Sequence, residues 1–272
     1  MRLVLADLDD TFLTRDKHLP EANAFALDLL AEHSVAFVPC TGRPVAGVPA
    51  ELMRHPATHF AVASNGGVIV DAKSGEVLHR SVMKTELVSA LYREVEHLNI
   101  TFDAFVPGHV LAERKRYDAM ASFGIDEANL NTIRSLREPS DQPIPERIAG
   151  FEGVEKVTVY WGDEQSRDEV YRLLSSVDEI GLTTSHPRNF EFMARGTSKG
   201  SALTWLCGFL GCDVSESVAF GDSLNDVPML EAAGDGVAVA NASDEVKAAA
   251  DHVCGSCDEG GVGKYLASLL CG

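Results

Sequence analysis

The chain has 272 residues, 45% hydrophobic and 24% charged, an ordinary globular composition that is long enough for one large domain or two modest ones. Its formal net charge of −18 argues against nucleic acid or an anionic membrane as partner, since either needs an extended basic surface. No stretch approaches the roughly 18 apolar residues of a membrane span, no signal peptide is expected because Asp7 interrupts the short N-terminal apolar run, and six scattered cysteines suit a reducing cytoplasm.

Arg2-Leu-Val-Leu-Ala6 reads as a buried strand that stops at the acidic turn Asp7-Leu-Asp-Asp-Thr11. In open parallel sheets ligands bind just beyond the carboxyl ends of the strands. Asp7 and Asp9, two apart on an extended chain, face one side and can share a target. Carboxylates this close repel unless a cation lies between them, either a hard Mg²⁺ or a lysine. The plainer reading is a polar strand end whose acids cap the next helix.

Residues 20–33 read as a helix with Phe25, Leu29 and Leu30 on one face. An apolar strand at 35–40 ends at Thr41-Gly42-Arg43-Pro44, a helix follows near 45–54, and a third apolar strand at 60–63 ends at Ser64-Asn65-Gly66-Gly67. Residues 68–70 and 77–79 suit a hairpin around Lys73-Ser74-Gly75. This alternation predicts a doubly wound parallel α/β sheet.

The character changes near Val82. An amphipathic helix is expected at 84–97, strands at 100–105 and 109–112, a polar region that is harder to read at 117–145, and an alternating, half-exposed strand at 154–161. A charged helix at 163–177 and short strands at 181–184 and 190–193 complete an inserted α+β domain over 82–188, with one open sheet face. From Ser198 the first pattern resumes: a helix at 199–210 opened by Lys199, a strand at 218–220 ending at Gly221-Asp-Ser-Leu-Asn-Asp226, a helix at 228–233, a strand at 236–239, and helices at 244–250 and 262–270. The domains expected are therefore 1–81 and 189–272 as core, with 82–188 inserted.

Strand ends in such a sheet emerge on one edge. That edge gathers Asp7 and Asp9, Thr41 and Arg43, Asn65, and Asp222, Asn225 and Asp226, with Lys199 opening the preceding helix. Single members have bland readings: Thr41 suits an N-cap as well as a phosphate contact, Arg43 suits pairing with an acid, Asn65 suits its turn, and Asp226 suits fixing a loop. Cys254-Gly-Ser-Cys257 has zinc-ligand spacing, but Cys207 and Cys212 are five apart, so ordinary thiols are expected over a zinc site. The histidines show no metal-ligand spacing.

With these motifs in this order the chain resembles a haloacid dehalogenase-like (HAD) superfamily phosphohydrolase, most closely the Cof-type (subfamily IIB) sugar-phosphatase branch. The resemblance rests on Asp7-Leu-Asp-Asp-Thr11, Thr41-Gly-Arg43, Lys199 and Gly221-Asp-Ser-Leu-Asn-Asp226, with Ser64-Asn-Gly66 and Gly236-Val-Ala-Val-Ala-Asn-Ala242 in support. It spans nearly the whole chain; Asp10 departs from it, standing where the family usually has glycine. The resemblance implies a Rossmann-like core with a cap that closes over substrate, and an Mg²⁺-dependent phosphatase acting on small phosphorylated metabolites, sugar phosphates foremost. It implies Asp7 as nucleophile, forming an aspartyl-phosphate, Asp9 as general acid and base, and Lys199 as a charge on Asp7 or on the phosphoryl group. Mg²⁺ would be held by Asp7, Asp222, the carbonyl of Asp9 and Asn225, with Asp226 orienting that shell, and substrate by Thr41 (through hydroxyl and backbone N–H), Gly42, Arg43, Asn65, Lys199 and Asn225. Specificity is expected from the cap, with 105–114 and the loop at His186 and Arg188 as candidates, although both loop residues also suit a simple turn. The rivals are a phosphomutase or phosphotransferase using the same intermediate and a catalytically inactive binding module.

Overall fold

The computed structural model, which describes residues 1–271, divides into two units: Met1–His79 with the segment from Ser198 onward, and Arg80–Thr197. The first unit begins with β1 (Leu3–Ala6), α1 (Glu21–Glu32), β2 (Ala36–Pro39), α2 (Ala50–Arg54), β3 (Phe60–Ala63), β4 (Val68–Asp71) and all but the last residue of β5 (Val77–Arg80). The second carries α3 (Thr85–Val95), β6 (Asp103–Val106), β7 (His109–Glu113), α4 (Arg114–Ala119), α5 (Glu127–Ser135), β8 (Glu138–Ser140), α6 (Ile144–Ile148), β9 (Lys156–Tyr160), α7 (Glu164–Leu174), β10 (Ile180–Thr183) and β11 (Asn189–Ala194). The chain returns with α8 (Lys199–Leu210), β12 (Ser217–Gly221), α9 (Val227–Ala232), β13 (Asp235–Ala238), α10 (Asp244–Ala249), β14 (His252–Val253) and α11 (Gly261–Cys271).

In the first unit a parallel sheet runs β14-β13-β12-β1-β2. β3 continues it beside β2 through parallel bridges at Phe37–Thr58 and Cys40–Val62, and then pairs antiparallel with β4. β1 is central, and all four of its side chains are fully buried. Each such Val or Leu stabilises the fold by about 1.5–3 kcal/mol, which is why an uninterrupted apolar run occurs here rather than an alternating one. The second unit is an α+β body on a mainly antiparallel sheet, β10-β11-β9-β6-β7-β8. The fold class expected from sequence, a doubly wound core with a separate α+β unit, is the one observed.

Four details differ. β11 pairs with β9 and β10, so the second unit extends to Thr197 rather than stopping at 188; its short apolar alternation fits either sheet, and only the pairing decides. The helix expected at 45–54 is interrupted: Val45–Gly47 forms a 3₁₀ turn and Pro49 precedes α2, because proline cannot continue a helix. Phe25 is 57% exposed, and α1 turns Ala26, Leu27, Leu29 and Leu30 inward instead. β9 alternates as expected but is buried throughout, its polar side satisfied by Lys156 Nζ, which donates to Glu191 Oε1 at 2.5 Å, and by the Thr158 hydroxyl on the same oxygen.

Candidate active site

Asp7 follows the last residue of β1, and its N–H is tied to the Phe220 carbonyl of the neighbouring β12 at 3.0 Å. The next strand over therefore sets where its carboxylate stands. Lys199 is the first residue of α8, whose N-terminus is fixed by a reciprocal capping box between Ser198 and Ser201. Gly200 lies against α9 so closely that a Cβ there would meet the Pro228 carbonyl oxygen at 2.1 Å. α8 is thus pressed onto α9, just beyond the loop that carries Asp222 and Asp226.

Lys199 Nζ donates to Asp7 Oδ1 at 2.5 Å and to Asp226 Oδ1 at 2.6 Å, and both the lysine and Asp226 are fully buried. The other Asp226 oxygen accepts the N–H groups of Asp222 and Ser223, each at 3.0 Å. Asp226 therefore fixes its loop and also pairs the lysine. Asp222 accepts the Thr11 hydroxyl at 2.6 Å and the Ser223 hydroxyl at 2.8 Å.

Burial pushes the Asp7 carboxyl well above its usual range; Lys199 opposes the shift, while Asp226, Asp222 and Asp9 add to it. Asp222 is pushed up to about 7, by burial first and then by the Asp226 charge, against the Thr11 and Ser223 hydrogen bonds. Burial works to lower Lys199, but Asp226 and Asp7 hold it well above its ordinary value.

This arrangement fits a hard divalent cation. Asp7, Asp222 and Asp226 each offer a carboxylate oxygen within 4.8 Å of the others, and among the described residues no other group of three or more His, Cys, Asp or Glu side chains is so placed. The donors are all oxygens, as such a cation prefers. Asn225, on the same loop, adds a buried Oδ1 that has no hydrogen-bond partner among the described residues. Among the described residues the cysteines form no comparable cluster.

Asp9 stands apart from the acid cluster. Its carboxylate is forked by Arg43, with Nε to Oδ2 at 2.8 Å and Nη2 to Oδ1 at 2.6 Å, and Lys17 Nζ lies 3.2 Å from Oδ1. Burial works against the charge, yet these cations hold the Asp9 carboxyl below its usual range. Lys17 Nζ also pairs Asp10 at 2.8 Å. Asp10 takes φ +61° and its carbonyl accepts Asn241 Nδ2 at 2.7 Å; the left-handed backbone explains why glycine suits this position and why an aspartate is tolerated.

Thr41 is buried, but its N–H is donated to the Val62 carbonyl at 2.9 Å, so it is not available for the phosphate contact expected of it. Nor does Thr41 cap a helix: its hydroxyl oxygen accepts the Arg43 N–H at 3.2 Å in a local turn through Gly42. Arg43 does pair with an acid, and that acid is Asp9. Asn65 accepts Asn225 Nδ2 at 3.1 Å. The structure thus brings Asp7, Asp9, Thr41, Arg43, Asn65, Lys199, Asp222, Asn225 and Asp226 to one edge of the core sheet, whereas His186, Arg188 and residues 105–114 belong to the second unit. Sequence reasoning missed Lys17, which no periodic signal marks, and the grip of Thr11 on Asp222, for which the only hint is that Thr11 closes the Asp7 motif.

The sequence model of the haloacid dehalogenase-like hydrolases matches residues 4–266. A phosphatase of Bacillus subtilis is 29% identical over 99% of this chain and 100% of its own length. A 5-amino-6-(5-phospho-D-ribitylamino)uracil phosphatase of the same organism is 28% identical over 100% of this chain and 99% of its own length. Among solved structures, a haloacid dehalogenase-like hydrolase from B. subtilis superposes with a TM-score of 0.87 at 26% identity, over 99% of this chain and 100% of that one.

Proposed function

The chain belongs to the haloacid dehalogenase-like hydrolase family and is a phosphatase, and from that premise we propose that it hydrolyses small phosphorylated metabolites, sugar phosphates foremost, with Mg²⁺ and through an aspartyl-phosphate on Asp7. The observation that carries this reading is the Asp7–Lys199 pair: a strand-end carboxylate held against a fully buried cation, with Asp222 beside it.

In this mechanism an Asp7 oxygen attacks phosphorus, the bond from phosphorus to the leaving oxygen breaks, and Asp9 gives that oxygen a proton. Water then attacks the phosphorus of the aspartyl-phosphate and passes its proton to Asp9; the bond from phosphorus to Asp7 breaks and phosphate leaves. Lys199 places positive charge where the phosphoryl oxygens gather. Thr41 contributes its hydroxyl hydrogen to a phosphate oxygen, and Gly42 and Arg43 line the same turn. Asp7, Asp222, Asn225 and the carbonyl of Asp9 would hold Mg²⁺, which when bound neutralises the dianion that repels a carboxylate nucleophile.

The substrate class is supported by a relative whose name gives it a phosphorylated ribityl compound. No helix among the described residues is long and apolar enough to cross a membrane, and all six cysteines are free thiols; a cytoplasmic location belongs to the same reading. The test is phosphate release from a panel of sugar phosphates, 5-amino-6-(5-phospho-D-ribitylamino)uracil and pyridoxal phosphate, with and without Mg²⁺, for wild type and Asp7→Asn. Mg²⁺-dependent release that the substitution abolishes is expected. Isomerised or transferred phosphate in place of free phosphate would move the reading to a mutase or phosphotransferase.

A further inference from the structure

Ser64, Asn65 and Gly66 all have positive φ, at 52°, 55° and 98°. Two consecutive non-glycine residues in the left-handed region are costly and persist only where the surroundings impose them. Here the surroundings do. The Ser64 N–H is donated to the Arg43 carbonyl at 2.9 Å and the Asn65 N–H to the Thr41 carbonyl at 3.1 Å. A Cβ on Gly66 would lie 2.1 Å from the Ser198 carbonyl oxygen, so the turn also abuts the start of the helix that carries Lys199. The turn is therefore a junction of three site segments.

The Asn65 side chain reaches a fourth. Its Oδ1 accepts Asn225 Nδ2 at 3.1 Å, with the two residues 1% and 6% exposed. If the turn needed only a residue that tolerates positive φ, glycine would serve better than asparagine. The carboxamide does something glycine cannot: by occupying the NH₂ end of Asn225, it decides which end is left over. That end is Oδ1, a buried acceptor with no hydrogen-bond partner among the described residues. A buried acceptor without a donor is unfavourable; a cation, or a water bound to one, removes the deficit.

We propose that Asn65 is a positioning residue that fixes the Asn225 carboxamide so that its Oδ1 faces the cation of the Asp7–Asp222 cluster. The inference rests on the reading that a divalent cation occupies that cluster. Outer partners that orient ligands in this way are worth roughly 10- to 100-fold in metal affinity.

Calorimetric titration of the metal-free, full-length protein with Mg²⁺ alone tests it, using wild type, Asn65→Gly, Asn65→Asp and Asp222→Asn. Asn65→Gly suits the backbone and deletes only the carboxamide; its Kd for Mg²⁺ is expected to rise about tenfold. Asn65→Asp keeps an acceptor and can only accept, so it is expected to bind Mg²⁺ at least about as tightly as wild type. Wild-type affinity in Asn65→Gly would assign Asn65 to its turn alone and overturn the proposal. So would a loss of about tenfold in a folded Asn65→Asp, measured against wild type, a result that stands even if the glycine variant folds poorly. Absence of Mg²⁺ binding to wild type, or wild-type affinity in Asp222→Asn, would overturn the metal reading itself and the inference with it.

Discussion

Arg43 forks onto Asp9 through two hydrogen bonds, of 2.8 and 2.6 Å, in a part-buried setting. The residue proposed to protonate the leaving alcohol is thus stored as a carboxylate. A phosphoryl dianion entering the site competes for the same guanidinium, and whatever it draws from the fork raises Asp9 toward the proton it must give. Lysine carries the charge but cannot fork. Loss of one charge-assisted hydrogen bond is worth about 1.5–3 kcal/mol, so Arg43→Lys is expected to lower kcat/KM by roughly 10- to 100-fold. Steady-state kinetics on the best substrate measure it, and an unchanged kcat/KM would sink the handover.

Lys199 is the only cation in hydrogen-bond contact with both Asp7 and Asp226 among the described residues. Replacing it with methionine keeps the bulk and leaves two buried acids facing each other. Breaking a buried pair by removing one partner costs about 3–5 kcal/mol. Lys199→Met is expected to lose that much in urea unfolding of the metal-free protein and to lose activity as well. A variant as stable as wild type would mean that the pair contributes no net stability.

Asp10 is this chain's departure from the pattern it resembles, and its φ of +61° predicts how much the departure matters. Glycine there relieves about 1–2 kcal/mol of left-handed strain but gives up the part-buried pairing with Lys17, worth about 0–1 kcal/mol. By these same terms Asp10→Gly is expected to lie between unchanged and about 2 kcal/mol more stable than wild type and to keep its activity. Asp10→Val, branched at Cβ in that conformation, is expected to destabilise by about 2 kcal/mol or more. Chemical denaturation of both variants checks the pair; equal stabilities would mean that the backbone term is absent.

Much of this was legible because parallel-sheet chemistry is written locally. β1, β2, β3 and β12 are short apolar runs that end in polar turns, and the site residues sit at those ends. What stayed hidden depends on partners distant in the chain. The Thr41 N–H goes to Val62 because β3 lies beside β2. Asp9 meets Lys17 only because the chain turns back after Thr14, whose carbonyl accepts the Lys17 N–H. β11 has a pattern that either sheet would accept, and pairing with β9 assigns it. Phe25 fails for a simpler reason: helical spacing identifies a stripe, but not which of its edge residues reaches the core.

The acid cluster makes a prediction about pH that needs no substrate. Asp222 is raised to about 7 and Asp7 well above its usual range, chiefly by burial. Between about pH 4 and 7 the unfolded chain has released the Asp222 proton while the metal-free fold still holds it, and the raised Asp7 carboxyl acts in the same direction. The folded state then binds more protons than the unfolded, so stability falls as pH rises through that window; below about pH 4 both states are protonated and the contribution is fully present. Asp9 works the other way: its lowered carboxyl adds stability above the unfolded value, lost only as the pH falls through its folded one. A divalent cation binds the ionised cluster, so its stabilisation grows with pH. Thermal melts with and without Mg²⁺ at pH 5 and pH 8 are expected to show a small metal-induced rise in Tm at pH 5 and a larger one at pH 8. Rises of equal size would mean that the cation does not bind through carboxyls held protonated by burial, whatever else it touches.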